Sequence, residues 1–249
     1  MYKSVVVSNA IVIIPTYNEI ENIEKMIRKV MTLSYPFHVL IVDDGSPDGT
    51  GAVVKKLQQE FSDRLFLLER KGKEGLGTAY IAGFNWVLQH QYEYCFEMDC
   101  DFSHNPEDLI RLLTACEAEN ADLAIGSRYV KGVNVVNWPM SRVLLSYFAS
   151  KYVRFITGMQ VHDATAGFKC YRTSFLKAIH FDKIRFKGYA FQIEMKYIAY
   201  RLGYQLKEVP IIFTDRQEGT SKISGNIIWE AIFGVIRLRL SDMKKYRKK

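Results

Sequence analysis

The feature that most limits what this chain can become is an alternation over its first half. Short β-branched runs, each followed at once by a polar motif, are separated by stretches with helical spacing. Ile11 to Ile14, Val39 to Val42, Leu65 to Leu68, Tyr94 to Met98 and Leu123 to Ile125 read as strands. Strands divided by helical segments in this way mark an α/β fold with a mostly parallel sheet. Ile20, Ile23, Ile27, Val30 and Met31 share one helical face, with Asn18 as the expected N-cap and Glu21 three residues on, so this helix should begin just after Asn18. In an open sheet of this kind ligands bind in the crevice beyond the carboxyl ends of the strands, so motifs at several strand ends are expected to converge on one site.

The 249 residues are 48% hydrophobic, enough for a sizeable core, and no Pro/Gly/Ser linker or repeat divides them. One domain is expected over 1–225, with an amphipathic helix and basic tail over 226–249. No run of about 18 uninterrupted apolar residues suggests a membrane span, and the stretch from Val5 to Ile14 reads as a strand and not a signal peptide. Cys95, Cys100, Cys116 and Cys170 have neither metal-binding nor redox spacing, which fits a reducing cytoplasm. A net charge of +7 points to anionic partners. Trp229, Ile232, Phe233 and Ile236 fall at helical spacing, with Arg237, Arg239, Lys244 and Lys245 close behind, a pattern of a membrane-surface anchor more than of a nucleic-acid reader. An ordinary core helix followed by a solvated tail has the same composition.

The motifs at the strand ends carry the chemistry. PTYNE, Pro15 to Glu19, offers a ring, a carboxylate and fixed backbone suited to a nucleobase and ribose, though it is also an ordinary strand-to-helix turn. VDDGSPDGT, Val42 to Thr50, places two carboxylates after a buried strand, where they are costly unless hydroxyls, N–H groups or a cation satisfy them. Adjacent residues of extended chain point to opposite sides, so one of the two faces the ligand, and Asp44 is assigned that place.

In MDCDFSHNPED, Asp99 and Asp101 are two apart, and in an extended segment both project to one side, able to approach a single Mg²⁺ or Mn²⁺. Such an ion completes its shell with phosphate and water, as a leaving diphosphate requires. Ser103 or His104 could add a ligand; two exposed acids at a strand end are the plainer reading. Further on, Arg128 in GSRY, with Arg142 and Ser146 four apart on one helical face, can hold a phosphate monoester. Arg216 and Lys222 in DRQEGTSK can grip a diphosphate, and Asp163, Lys169 and Arg172 fall in a further turn or strand entry.

Taken in order, PTYNE, DDGSPDGT, the D-x-D of MDCD, GSRY, the Arg142 and Ser146 pair and DRQEGTSK resemble the polyprenol (dolichol) phosphate mannosyltransferases of the family-2 glycosyltransferases, over roughly the whole chain. The resemblance implies a Rossmann-like GT-A fold with helices flanking the sheet and a C-terminal acceptor-side extension from about Val130. It also implies GDP-mannose as donor, a polyprenyl monophosphate as acceptor, inversion at the anomeric carbon and Mg²⁺ or Mn²⁺ as cofactor. By carry-over, Pro15, Tyr17, Glu19, Val42 and Asp44 are expected to hold the nucleoside, and Asp99, Cys100 and Asp101 the metal and diphosphate. Arg128, Arg216 and Lys222 become phosphate grips, Arg128 and Lys222 acting beside Asp99 and Asp101 in catalysis, and Arg142 with Ser146 the acceptor-phosphate site. Cys100 stands where the family often has Ala, and Ser103 where some members have a Gln ligand. Many relatives also carry C-terminal transmembrane helices, so this chain resembles a short, peripheral type on the cytoplasmic face of a membrane, with room for a separate membrane partner and no role for nucleic acid. UDP-glucose as donor, a nucleotidyltransferase and a non-catalytic binding subunit are the competing readings.

Overall fold

The protein is described here by a computed structural model covering residues 8–188, 190–215 and 233–248. Five strands, β1 (Ala10–Thr16), β2 (His38–Asp43), β3 (Leu65–Glu69), β4 (Tyr94–Glu97) and β5 (Leu123–Ser127), coincide with the five expected from sequence. Helices α1 (Ile23–Met31), α2 (Thr50–Glu60), α3 (Leu76–Gln89) and α4 (Asp108–Glu117) connect them. Alternate residues of β1 feed opposite cores: Ile11 and Ile13 pack with α3, whereas Val12 and Ile14 pack with α1, α2 and α4. A strand covered on both faces has no solvent side, which is why its sequence is continuously apolar instead of alternating.

The chain after Val130 does more than build an acceptor side. Past a short β6 (Val135–Val136) and α5 (Met140–Thr157), it returns to the sheet as β7 (Lys169–Arg172), then forms α6 (Thr173–Lys177), α7 (Ala190–Arg201), β8 (Leu206–Pro210) and β9 (Phe213–Thr214). The seven-stranded sheet runs β3-β2-β1-β4-β7-β5-β8, with β6 and β9 as a separate parallel pair. β7 lies antiparallel between β4 and β5; every other neighbouring pair in the large sheet is parallel. Its insertion brings Lys169 opposite Glu97, where the ammonium meets the carboxylate at 3.0 Å with neither side chain exposed. Lys169 also donates to Gln192, and the Tyr171 hydroxyl donates to Glu97 at 2.7 Å. Burial pulls the Lys169 pKa down against the pull of Glu97.

Helix α1 begins at Ile23, not just after Asn18. Asn18 has φ +57 and does not cap the helix. The N–H groups of Asn18, Glu19 and Ile20 are instead satisfied from the DDGSPDGT loop, by Ser46 Oγ, Thr50 Oγ1 and Asp48 Oδ2 at 3.0, 3.0 and 3.1 Å. Acceptors supplied from a distant loop removed the need for a local cap.

Among the described residues no helix is long and apolar enough to cross a membrane. Of the expected terminal segment, Trp229 and Ile232 lie outside the described residues. Residues 233–239 are helical, with Val235 and Leu238 buried and Phe233, Ile236 and Leu240 exposed. The basic end is no solvated tail: a 3₁₀ turn, Met243–Tyr246, buries Met243 and Tyr246. The Tyr246 hydroxyl donates to Glu194 at 2.7 Å, and the N–H groups of His180 and Lys248 donate to Tyr246 O and Ala178 O. Tyr246→Ala is therefore expected to lower stability by about 3–5 kcal/mol, the range for removing a fully buried aromatic, as read by urea denaturation.

Candidate active site

At the carboxyl end of β2 the two adjacent aspartates have separate tasks. Asp43 accepts from Thr16 Oγ1 at 2.9 Å, from Ser46 N at 2.9 Å and from Ser46 Oγ at 2.6 Å, locking the end of β1 to the following turn. Asp44 points elsewhere and pairs with Arg70 at 2.8 Å, as the alternation of an extended chain requires. Burial raises the Asp44 pKa, with Arg70 opposing. Gly45 has φ +69, and a Cβ there would meet the Arg70 carbonyl at 3.2 Å, so the turn admits the β3–α3 loop only because this residue has no side chain. Asp48 is not solvated; besides Ile20 N–H it accepts from the N–H and hydroxyl of Thr50.

Arg70 is a residue the sequence reading missed. It follows β3 directly, donates its N–H to Asp43 O at 2.8 Å, and reaches Thr78 and Glu74 as well as Asp44. Its signal was position: it too stands at a carboxyl strand end, before the glycine-rich KGKEGLG. Three residues on, the Lys73 ammonium lies 5.2 Å over the Tyr17 ring. Pro15 and Glu19 flank this corner half-buried, whereas the Val42 side chain is fully buried in the core and offers no ligand surface.

The D-x-D segment bends after β4 instead of continuing as strand, and Phe102 takes φ +58. The same-side projection expected of an extended chain therefore does not hold for Asp99 and Asp101, which sit in a bent segment. The Asp99 side chain is 40% exposed, whereas Asp101 is buried and accepts from Ser103 N at 3.1 Å. Ser103 is buried and serves the turn through its backbone, its carbonyl accepting from Thr214 N. Cys100 is buried; burial raises its thiol pKa far above the ordinary value, assisted by the charges of Glu19, Asp101 and Asp99.

The turn suits a hard divalent cation. His104 Nδ1 is buried without a hydrogen-bond partner and lies 4.0 Å from Asp99 Oδ2. Burial lowers its pKa to about 4, which leaves a neutral imidazole with a lone pair at neutral pH. Among the described residues no three His, Cys, Asp or Glu side chains form a ready metal cluster. Asp99 and Asp101 would then hold the ion with substrate oxygens completing its shell, the mode in which Mg²⁺ and Mn²⁺ are usually bound.

Arg128 and Arg142 do come together, around Trp138. Their guanidinium carbons lie 5.5 and 4.1 Å from its ring. The Trp138 and Tyr129 polar atoms are buried without partners, and Ser146 sits beside the Tyr129 hydroxyl. Arg128 is braced from behind: Asp163 accepts from its Nε, Nη2 and backbone N at 2.6, 2.6 and 3.0 Å, and Thr165 accepts from Nη2 at 2.8 Å. Burial alone would raise the Asp163 pKa, but the charge and hydrogen bonds of Arg128 outweigh it and the pKa is lowered. Phe213 links the two halves of the site, its ring 5.2 Å from His104 and 5.1 Å from Trp138. Arg216 and Lys222 lie outside the described residues. Asp163, read only as part of a turn, is the residue that positions Arg128; Lys169 and Arg172 belong to β7.

The family described as Glycosyl transferase family 2 matches residues 11–179. Polyprenol monophosphomannose synthase of Mycolicibacterium smegmatis is 49% identical over 225 residues, 90% of this chain and 84% of that protein. Undecaprenyl-phosphate mannosyltransferase of Micrococcus luteus is 46% identical over 229 residues, 92% of this chain and 93% of that one. Among solved structures, glucosyl-3-phosphoglycerate synthase from Mycobacterium tuberculosis, with Mn²⁺, UDP and glucosyl-3-phosphoglycerate, aligns with TM-score 0.63 at 16% identity over 93% of this chain and 78% of that chain. A mannosyltransferase from Pyrobaculum calidifontis, in complex with GDP-Man and Mn²⁺, gives 0.55 at 19% identity over 92% of this chain and 64% of that chain. These two show the shared GT-A-like fold.

Asp163→Asn should leave the Arg128 charge buried and unbalanced, at a cost of about 3–5 kcal/mol at neutral pH. Because the folded pKa is the lower one, the stabilisation is fully present above the unfolded value of about 3.9 and is lost as pH falls through the folded value. The variant's urea midpoint should accordingly vary less with pH below about pH 4 than that of the wild type.

Proposed function

The chain belongs to glycosyl transferase family 2, and we propose that it transfers mannose from GDP-mannose to a polyprenyl monophosphate, inverting the anomeric centre and releasing GDP. The observation that carries this reading is a pair of arginines around one tryptophan, joined through Phe213 to a two-carboxylate turn. Such a site matches a phosphate monoester on one side and a metal-bound diphosphate on the other. The names of the relatives, one a polyprenol monophosphomannose synthase and one an undecaprenyl-phosphate mannosyltransferase, agree with it.

In the proposed reaction an acceptor phosphate oxygen forms a bond to the anomeric carbon as the bond from that carbon to the GDP β-phosphate oxygen breaks. The electron pair leaves with GDP. A phosphate monoester near neutral pH already carries about −1.5 to −2 charges, so no proton need be removed and no general base is required. Asp99 and Asp101 would hold a divalent cation, which would supply neutralisation of the leaving diphosphate. Arg142 and Ser146 orient the nucleophile, with Arg128 held rigid by Asp163 beside them. Arg216 and Lys222 are assigned to the diphosphate by family resemblance.

The polyprenyl chain requires a lipid surface, and α5 offers one. Met140, Leu144, Leu145, Phe148 and Phe155 are all exposed, Phe155 at 87%, on the helix that also carries Arg142 and Ser146. Phe233, Ile236 and Leu240 near the C-terminus are exposed as well. We assign the protein to the periphery of a membrane, and to its cytoplasmic face because all four cysteines are buried free thiols. A separate membrane partner is compatible with this placement.

Labelled GDP-mannose, Mg²⁺ or Mn²⁺ and a polyprenyl phosphate should yield label in the organic phase, and UDP-glucose in parallel should yield far less; label that stays aqueous refutes the acceptor. Asp99→Ala or Asp101→Ala should lower turnover by about 10²–10³-fold or more with an unchanged circular dichroism spectrum. Phe148→Ser combined with Phe155→Ser should weaken co-sedimentation with anionic liposomes by about 100-fold or more, given about 1.5–3 kcal/mol for each buried aromatic side chain.

A further inference from the structure

The site contains two arginine–aspartate pairs of opposite character. Arg128 and Asp163 are joined by three contacts, with side chains 9% and 0% exposed. Arg142 and Asp215 are joined by Nη1 to Oδ1 at 2.9 Å, with side chains 26% and 27% exposed. The first pair is sealed in the protein. The second lies at the solvent rim, where an ion pair contributes little net stability and exchanges readily.

The carboxylate of this second pair is nonetheless carried on fixed backbone. Asp215 N donates to Val136 O at 3.0 Å, and the preceding Thr214 N donates to Ser103 O at 3.2 Å. Asp215 thus follows a strand fastened both to β6 and to the D-x-D turn. On the other side, the Arg142 guanidinium carbon lies over the Trp138 ring, 4.1 Å from its centroid. An anion is therefore already seated on the guanidinium to which the proposed acceptor phosphate is assigned.

We propose that Asp215 is a placeholder on the acceptor site: its carboxylate stands in for the acceptor's phosphate on Arg142 and must be displaced before a phosphate monoester can bind there. The inference rests on the acceptor reading above and goes beyond it. A carboxylate brings one charge and two oxygens; a phosphate monoester brings about −1.5 to −2 charges and three acceptor oxygens. Exchange of Asp215 for a monoester gains charge and hydrogen bonds on Arg142. Exchange for another carboxylate gains neither, and in both cases the displaced Asp215 lowers the affinity of the arriving anion.

The test compares two amphiphiles of equal chain, geranyl monophosphate and geranic acid, binding to the full chain by isothermal titration calorimetry. Wild type should bind the phosphate and discriminate against the acid. In Asp215→Asn, which keeps the side-chain shape, the phosphate should bind about three- to fivefold tighter, as expected from loss of a competing exposed ion pair, and the acid should gain no more than the phosphate does. Asp215→Ala should behave in the same way, with melting temperature confirming that both variants fold. Weaker or unchanged phosphate binding in both variants overturns the role of Asp215 and leaves the acceptor reading standing. If wild type fails to bind geranyl monophosphate, the acceptor reading falls and this inference with it.

Discussion

Parallel strands cannot be joined by hairpins, and this constraint organises the rest of the molecule. Each of β1, β2, β3, β4 and β5 runs the same way, with a crossover helix returning the chain before the next begins. Their carboxyl ends therefore share one edge, and PTYNE, DDGSPDGT, Arg70, the D-x-D turn and GSRY are delivered to it from positions far apart in sequence. The polar groups that would be costly in a sheet interior stand where the strands end, and they satisfy one another there. Asp43 and Asp48 do so by closing the first two motifs onto each other.

Charge at the site is graded by burial. Glu97 with Lys169 and Asp163 with Arg128 are sealed inside, and removing one partner from such a pair leaves an uncompensated charge in a low-dielectric interior. They form the rigid floor and back wall. Asp99, Arg142 and Asp215 are partly exposed and can exchange partners with a ligand. Phe213 and its short strand tie the two halves together, so that in the proposed reaction a donor on the carboxylate turn and an acceptor on the arginines would meet across a fixed distance. Fixing two reactants in this way is itself a large part of what a site of this kind contributes to rate.

Where sequence reading and structure diverge, the cause is a partner supplied from elsewhere in the chain. Asn18 has the composition of an N-cap, but the amides it would have served are satisfied from the next loop, and the helix starts at Ile23. Lys169 looked like a polar residue at a strand entry; opposite Glu97 it became a buried member of β7. Arg70 stands at a strand end like the other motifs, but its task shows only once Asp44 is seen beside it. The basic terminus, read as anchor or loose tail, is fastened by Tyr246, which no local pattern discloses.

The sequence by itself determined the strands of the parallel half, the opposite directions of Asp43 and Asp44, and the grouping of Arg128 with Arg142, because these depend on periodicity and on order along the chain. Family resemblance extended that to a donor and an acceptor. Only the tertiary structure decided that β7 enters the sheet antiparallel, that Asp163 braces one arginine, and that Asp215 sits on the other. Those are contacts between residues from 35 to 78 positions apart, and their energies depend on burial and on geometry that no local spacing encodes.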